Sequence, residues 1–373
     1  MEMPVKILVI GGTGPTGPFV VNGLLDRGYE VAILNRGSHD SSEIPDSVER
    51  IIADPHFEET LREALQGRSF DQIIGSYGRL RVIAELAGDY TDRLISVGGA
   101  PSYRGGEHPD MVFPAGRQVP LPEDAPKVET EEEFKFGYLV KKAEDAVMAG
   151  HAAGDYVATH LRYPLVYGPR QPLPCEWWVV KRILDKRKII SLPDNGLTVL
   201  SRGYAENMAH AVLLCVDQPD TAGGKIYNCG DTHQLTMAQW VQVISTAMDW
   251  ELEIVSVPAK FSQPARDMMI AAVHSHHLMY DTYAMRSELG YEDQVPVVEA
   301  LGRTVEWYLS NPPDLNASTH ADMAQQYEIE ERLAEIVDVA EQKFESLPIV
   351  EKGFSHPYAH PKKPGEGKDH MGR

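Results

Sequence analysis

The sequence is short of cationic charge, of cysteine and of long apolar runs, and each shortage removes a class of function. Its 35 Lys and Arg residues face 55 Asp and Glu, a net charge of -20, so the chain as a whole repels phosphate backbones and anionic lipid. This predicts a protein that binds neither nucleic acid nor membrane. There are 3 cysteines, Cys175, Cys215 and Cys229; an odd number without CxxC spacing gives no disulfide framework and no zinc motif. A cytoplasmic location follows as the expectation. No run approaches the roughly 18 consecutive apolar residues of a membrane-spanning helix. The start, MEMPVKILVI, lacks the basic segment, apolar stretch and cleavage site of a signal peptide. GxSxG and GxxxxGK[ST] are absent as well, which leaves hydrolase and kinase readings without their motifs.

What is present is the composition of an ordinary globular protein, with 373 residues, 43% hydrophobic and 24% charged. In the first half short apolar runs alternate with helical periodicity. Strands are predicted at 5–11, 30–35, 50–53, 71–76, 93–98 and 157–164, with helices at 16–27, 57–65, 80–87 and 131–152. Strands that are apolar throughout are buried on both faces, so the pattern predicts an α/β fold, a doubly wound parallel sheet covered by helices. Beyond Pro164 the spacing loosens and Trp, Pro and Tyr become denser, which predicts a second, smaller α/β lobe interleaved with the sheet. The expected division is 1–165, 166–320 and 321–373. The last part begins with an acidic helix carrying Met323, Tyr327, Leu333, Ile336, Ala340 and Phe344 as an apolar stripe and ends in a Pro-, Gly- and Lys-rich tail.

Chemistry enters at VIGGTGPTGPFVV, where Gly11, Gly14 and Gly17 follow the first strand and open a helix. A helix N-terminus offers unpaired N–H groups and positive dipole, and glycine lets a pyrophosphate approach. Pro15 and Thr16 lie in the same loop. At the end of the second strand a carboxylate would bond the ribose of NAD. Here Asn35 is followed by Arg36, and a guanidinium can pair with the extra phosphate of NADP; NADP is therefore favoured, with NAD the alternative. Asp54, after the third strand, is placed to accept from the adenine amino group or to cap a turn. Tyr138 and Lys142 are one helical turn apart, and an ammonium beside a phenol favours the phenolate, making Tyr138 a candidate proton carrier.

These motifs together, GGTGPTG, GYLVKK, LRYPLVYGPRQ, RGYAENMAHAVLL and IYNCGD, resemble an extended short-chain dehydrogenase/reductase of the NAD-dependent epimerase/dehydratase family over residues 5 to 312. The resemblance implies a Rossmann domain, a C-terminal substrate lobe, a bound nicotinamide cofactor and homodimers. It adds Tyr163 and Pro164 to the cofactor contacts. In that family a Ser or Thr follows the fifth strand and holds the substrate oxygen; aligning Tyr103 with the family tyrosine puts Gly98 and Gly99 there instead, flanked by Ser96 and Ser102. Arg170, Trp177 and Arg202, with Gly99, are the candidate substrate contacts, Trp177 sharing that role with Trp178 as alternatives. His274, His276 and His277 lack metal-ligand spacing, and no metal is expected. The activity implied is nicotinamide-dependent hydride transfer at a carbinol or carbonyl carbon of a small molecule. The competing reading is a nucleotide-binding or RNA-binding-like module that has lost turnover.

Overall fold

The computed structural model describes residues 5–37, 42–76, 80–106, 108–269, 276–313 and 323–349, and in the tail 353–354, 356–358, 362–365, 367–368 and 372. The predicted strands all form: β1 (Lys6–Ile10), β2 (Glu30–Asn35), β3 (Glu49–Ile52), β4 (Gln72–Ser76), β5 (Arg93–Gly99) and β6 (Val157–Tyr163). A seventh strand, Lys225–Asn228, joins from the second half, and the order across the sheet is Lys225–Asn228, β6, β5, β4, β1, β2, β3. Every pairing is parallel. Chain direction across the sheet reverses between β1 and β4, which opens the crevice at the strands' carboxyl ends where this architecture takes ligands.

The helices are α1 (Gly17–Asp26), α2 (Glu58–Leu65), α3 (Leu80–Ala87), α4 (Glu131–Ala153), α5 (Trp177–Leu184) and α6 (Ala205–Asp217), followed by shorter ones and a long helix at Met323–Glu345. Alternation within β1 explains why it is apolar throughout. Ile7 and Val9 pack with Val20 and Leu24 of α1 and Met208 and Val212 of α6, whereas Leu8 and Ile10 pack with Leu61 of α2, Ile83 of α3 and Val147 of α4. The lobe has its own core, built from Trp177, Trp178, Trp240, Ile244, Leu301 and Tyr308 around two short parallel strand pairs, Leu165–Tyr167 with Arg202–Tyr204 and Ile189–Pro193 with Glu253–Val257.

The chain forms two compact units, Met1–Leu333 and Ala334–Arg373. In the first unit the long C-terminal helix is held by polar groups. Glu330 and Arg182 form a fully buried ion pair at 2.9 Å, Gln326 donates to Asp267 at 2.9 Å, and Tyr327 donates to Asp185 at 2.7 Å. The expected apolar stripe docks only at its start, where Met323 packs against the lobe core; the fully buried positions are Gln326 and Glu330, because they meet a guanidinium that burial has stripped of water. In the second unit Ile336, Val339 and Phe344 are exposed.

Candidate functional site

The glycines of the first loop serve three purposes: backbone conformation, close approach and an open face. Gly11 and Gly12 have φ of 109° and 81°, the region that side chains rarely enter. A Cβ on Gly17 would run into the Gly12 carbonyl, so its absence lets α1 start close against the loop. A Cβ on Gly14 would meet nothing within 4 Å; this is the open face. Thr16, the N-cap of α1, makes no capping bond from its side chain, and the first turn holds no acidic residue. Pro18 has no N–H and the Gly17 N–H is bonded to the Gly14 carbonyl at 3.1 Å, so what α1 turns toward the loop is its positive dipole end with no acidic side chain against it, which suits an anion such as a dinucleotide's pyrophosphate. The residues present fit such a group.

At the end of β2, the Asn35 side chain accepts from Gly37 N–H at 2.8 Å and shapes the turn. Arg36 is exposed. Asp54 is held below the ordinary carboxylate range, first by the His56 backbone N–H and then by the His56 ring, with a weaker pull from Arg36. Its Oδ1 sits 3.0 Å from the His56 nitrogen and 2.7 Å from Nδ1. Asp54 therefore spends one oxygen capping its own turn.

Behind the end of β5 lies a buried polar network that sequence reading missed. Arg162 on β6 grips Glu144 of α4 with two bonds of 2.7 and 2.9 Å and donates to the Glu123 carbonyl at 2.7 Å and to the Tyr103 hydroxyl. Tyr103 donates to Asn228 of the seventh strand at 2.6 Å. Lys127 also pairs with Glu144. Burial works to raise the Glu144 carboxyl, but Arg162, His160 and Lys127 pull it down to about 2. His160 is lowered to about 4, chiefly by burial, against the pull of Glu144. The available signal was a His and an Arg, two residues apart on one face of an otherwise apolar strand; a charge buried there needs a partner.

This network reassigns Ser96. Its hydroxyl is buried, 2.7 Å from His160 Nδ1 and 3.2 Å from the Thr159 carbonyl, so it braces the sheet beneath α4 and does not face a substrate. Gly98 is needed here, because a Cβ would lie 2.6 Å from the His160 ring. At Gly99 a Cβ would meet Pro101 Cδ at 3.1 Å, and no hydroxyl stands in its place. Ser102 is fully buried in the turn after β5, and its hydroxyl has no partner among the described residues.

Tyr138 and Lys142 do come together, with the ammonium 5.5 Å from the ring centroid. Gly137 allows α4 to dock, since a Cβ there would strike the Pro101 carbonyl. Seven residues further on, Glu144 lies on nearly the same line of the helix and also faces inward. With that line as reference, Tyr138 and Lys142 lie about 120° and 160° to one side at ~100° per residue. Phe136 and Val140 lie on the other side.

The lobe candidates are differently employed than the sequence suggests. Arg202 is buried, bonded to Glu176 at 2.8 Å and to the Met268 carbonyl at 2.6 Å, and stacked 4.5 Å over Trp240. Trp177 packs at 6.0 Å from Tyr308, and both it and Trp178 are buried. Arg170 bonds Glu43 and the Pro15 carbonyl and lies over Phe19 at 5.4 Å, so it ties the loop after Tyr167 to the glycine loop. Arg202, Trp177 and Arg170 are thus corrected from free substrate contacts to groups already committed within the protein. Tyr163 points to the opposite face of the sheet, donating to the Met208 carbonyl at 2.7 Å, and Pro164 beside it is buried. His277 accepts from Val199 N–H at 3.1 Å, His276 is exposed and His274 lies outside the described residues. Among the described residues no cluster of His, Cys, Asp and Glu could hold a metal, and no helix is long and apolar enough to cross a membrane.

Residues 110–230 match the NAD dependent epimerase/dehydratase family. A 3-diazoavenalumate denitrifying reductase from a Streptomyces species is 24% identical over 249 residues, which span 63% of this chain and 79% of that protein. Among solved structures, the UDP-glucose 4-epimerase of Thermotoga maritima with UDP-glucose superimposes with a TM-score of 0.66 at 19% identity, over 83% of this chain and all of that one. A dTDP-glucose 4,6-dehydratase from Bacillus anthracis in complex with NAD gives 0.63 at 18% identity, over 82% of this chain and 97% of the other. The two structures share the fold of this chain.

Proposed function

We propose that this chain, whose residues 110–230 match the NAD dependent epimerase/dehydratase family and which shares the fold of its structural neighbours, is a nicotinamide-dependent oxidoreductase acting on a small molecule. The observation that carries the reading is the glycine loop, with its open face at Gly14 and an uncapped, acid-free start to α1. When bound, the nicotinamide would donate a hydride to a carbonyl carbon in its reduced form or accept one from a carbinol carbon in its oxidised form. The chain's own part is to hold the pyrophosphate on the backbone N–H groups of Gly14 and Thr16, Pro15 between them having none, and to present Arg36 to the adenosine half. Arg36, with no carboxylate at Asn35, favours NADP over NAD.

Reduction is favoured over sugar epimerisation. Arg202 is paired with Glu176 inside the protein and Arg170 with the half-exposed Glu43, which engages both away from a nucleotide-sugar diphosphate, and a relative matched over 79% of its own length is a reductase. A second reading, a nucleotide-binding module with little turnover, is favoured by the missing hydroxyl at Gly99. A single preparation separates the two. Calorimetric titration with NADPH, followed by a screen of ketones for loss of reduced-nicotinamide absorbance, gives binding and turnover for a reductase. Binding without turnover on any ketone supports the module, and no binding defeats both.

A further inference from the structure

Two flanks of α4 carry very different side chains, and the fold decides which one the cofactor meets. Taking the inward line through Gly137 and Glu144 as reference, Ala143 and Val147 lie about 100° and 60° to one side at ~100° per residue. That side faces α3, for Val147 is fully buried, with Ala143 packed beside it, in the cluster that holds Leu80, Ile83, Ala84 and Leu86. Phe136 and Val140 lie on the same side, at about 80° and 40°. Tyr138 and Lys142 lie on the opposite one. The helix is regular across this stretch, its one irregular residue being Phe134, with φ -168° and ψ 97°.

The glycine loop follows β1, and Asn35 and Arg36 at the end of β2 mark the adenosine side. A dinucleotide laid across the carboxyl edge therefore runs the other way, over the tips of β4 and β5, to reach its nicotinamide end. Those tips lie between the starts of α3 and α4, on the α3 side of α4. We infer that Phe136 and Val140 line the nicotinamide half of the site, and that Tyr138 and Lys142 stand outside it. The inference rests on the proposed cofactor. Phe136 is 59% exposed, its ring set edge-on to Phe134 at 6.2 Å, and Val140 is partly exposed. The wall they form is apolar: it excludes water from the hydride path and supplies no proton, so a substrate reduced here draws its proton from elsewhere than α4.

The test is cofactor affinity, which needs no substrate. NADPH is titrated calorimetrically into the full chain and into Phe136→Glu, Val140→Glu, Tyr138→Phe and Lys142→Glu, each checked for an unchanged melting curve. A carboxylate facing the nicotinamide half weakens binding at least tenfold in Phe136→Glu, and in Val140→Glu if it folds. Tyr138→Phe and Lys142→Glu stay within twofold of the parent. Phe136 is exposed, so its variant keeps the test available if Val140→Glu does not fold. A tenfold loss in Lys142→Glu with none in Phe136→Glu overturns the inference while leaving the cofactor assignment standing. Failure of the parent chain to bind any nicotinamide dinucleotide overturns both.

Discussion

Arg36 and Glu144 show how differently single residues can be read. Arg36 is exposed beside a turn that Asn35 shapes, and its proposed partner is a ligand phosphate, so removing it costs the fold little. Arg36→Ala is expected to weaken NADPH about tenfold, the scale of one charge-assisted contact, and to leave NADH unchanged; paired calorimetric titrations check this. Glu144 is the reverse case. It is 1% exposed, with Arg162 equally buried beside it, and Glu144→Gln leaves a guanidinium without its charge partner, an expected loss of about 3–5 kcal/mol in urea unfolding. Its folded pKa, about 2, lies below the ordinary 4.5. The stabilisation is therefore complete above about pH 4.5 and is lost as pH falls toward 2; the Gln variant should show a flatter acid limb. Gly11, Gly12 and Gly17 were legible in sequence because backbone conformation or close chain approach demands them, while Gly14 keeps the loop's face open. Arg202 was not, because its partner Glu176 is 26 residues away and only the folded lobe brings the two together.

Among the elements, the six strands and four helices predicted in the first half agree with the structure to within one or two residues, since each spans enough chain to show a period. The lobe strands Leu165–Tyr167 and Arg202–Tyr204 have 3 residues each, too few for alternation to register. Sequence also gave α4 its place but not its orientation: Tyr138 and Lys142 share a face with each other, yet the inward face is set by Gly137 and Glu144. In the C-terminal helix the apolar residues suggested the docking face, and Met323 does pack on the lobe core, but the fully buried contact is made by Glu330. Glu330→Ala strands Arg182 in the lobe core and is expected to lower stability by about 3–5 kcal/mol. The double variant Arg182→Met with Glu330→Leu, which removes both charges at similar volume, should recover most of that loss in a thermal melt; no recovery would mean the pair is not what holds the helix.

For the whole molecule, the sequence foresaw a doubly wound parallel sheet covered by helices, whereas the seventh strand, Lys225–Asn228, contributed from the second half, was not among the strands it predicted. A homodimer through α3 and α4 is proposed on the family resemblance. Leu139 of α4, 37% exposed, is available to such a surface, whereas Val147, fully buried, is not. Light scattering at micromolar concentration should give about twice the 41.4 kDa chain mass, and a monomer mass would remove the proposal. The central claim, a nicotinamide dinucleotide seated on the glycine loop, is tested most directly at Gly14, where a side chain would meet no protein atom within 4 Å. Gly14→Asp puts a carboxylate where the pyrophosphate is placed while leaving the fold untouched. Calorimetric titration with NADPH should show saturable binding to the parent chain and at least a tenfold loss in Gly14→Asp at an unchanged melting temperature. Equal binding by the two proteins would contradict the account.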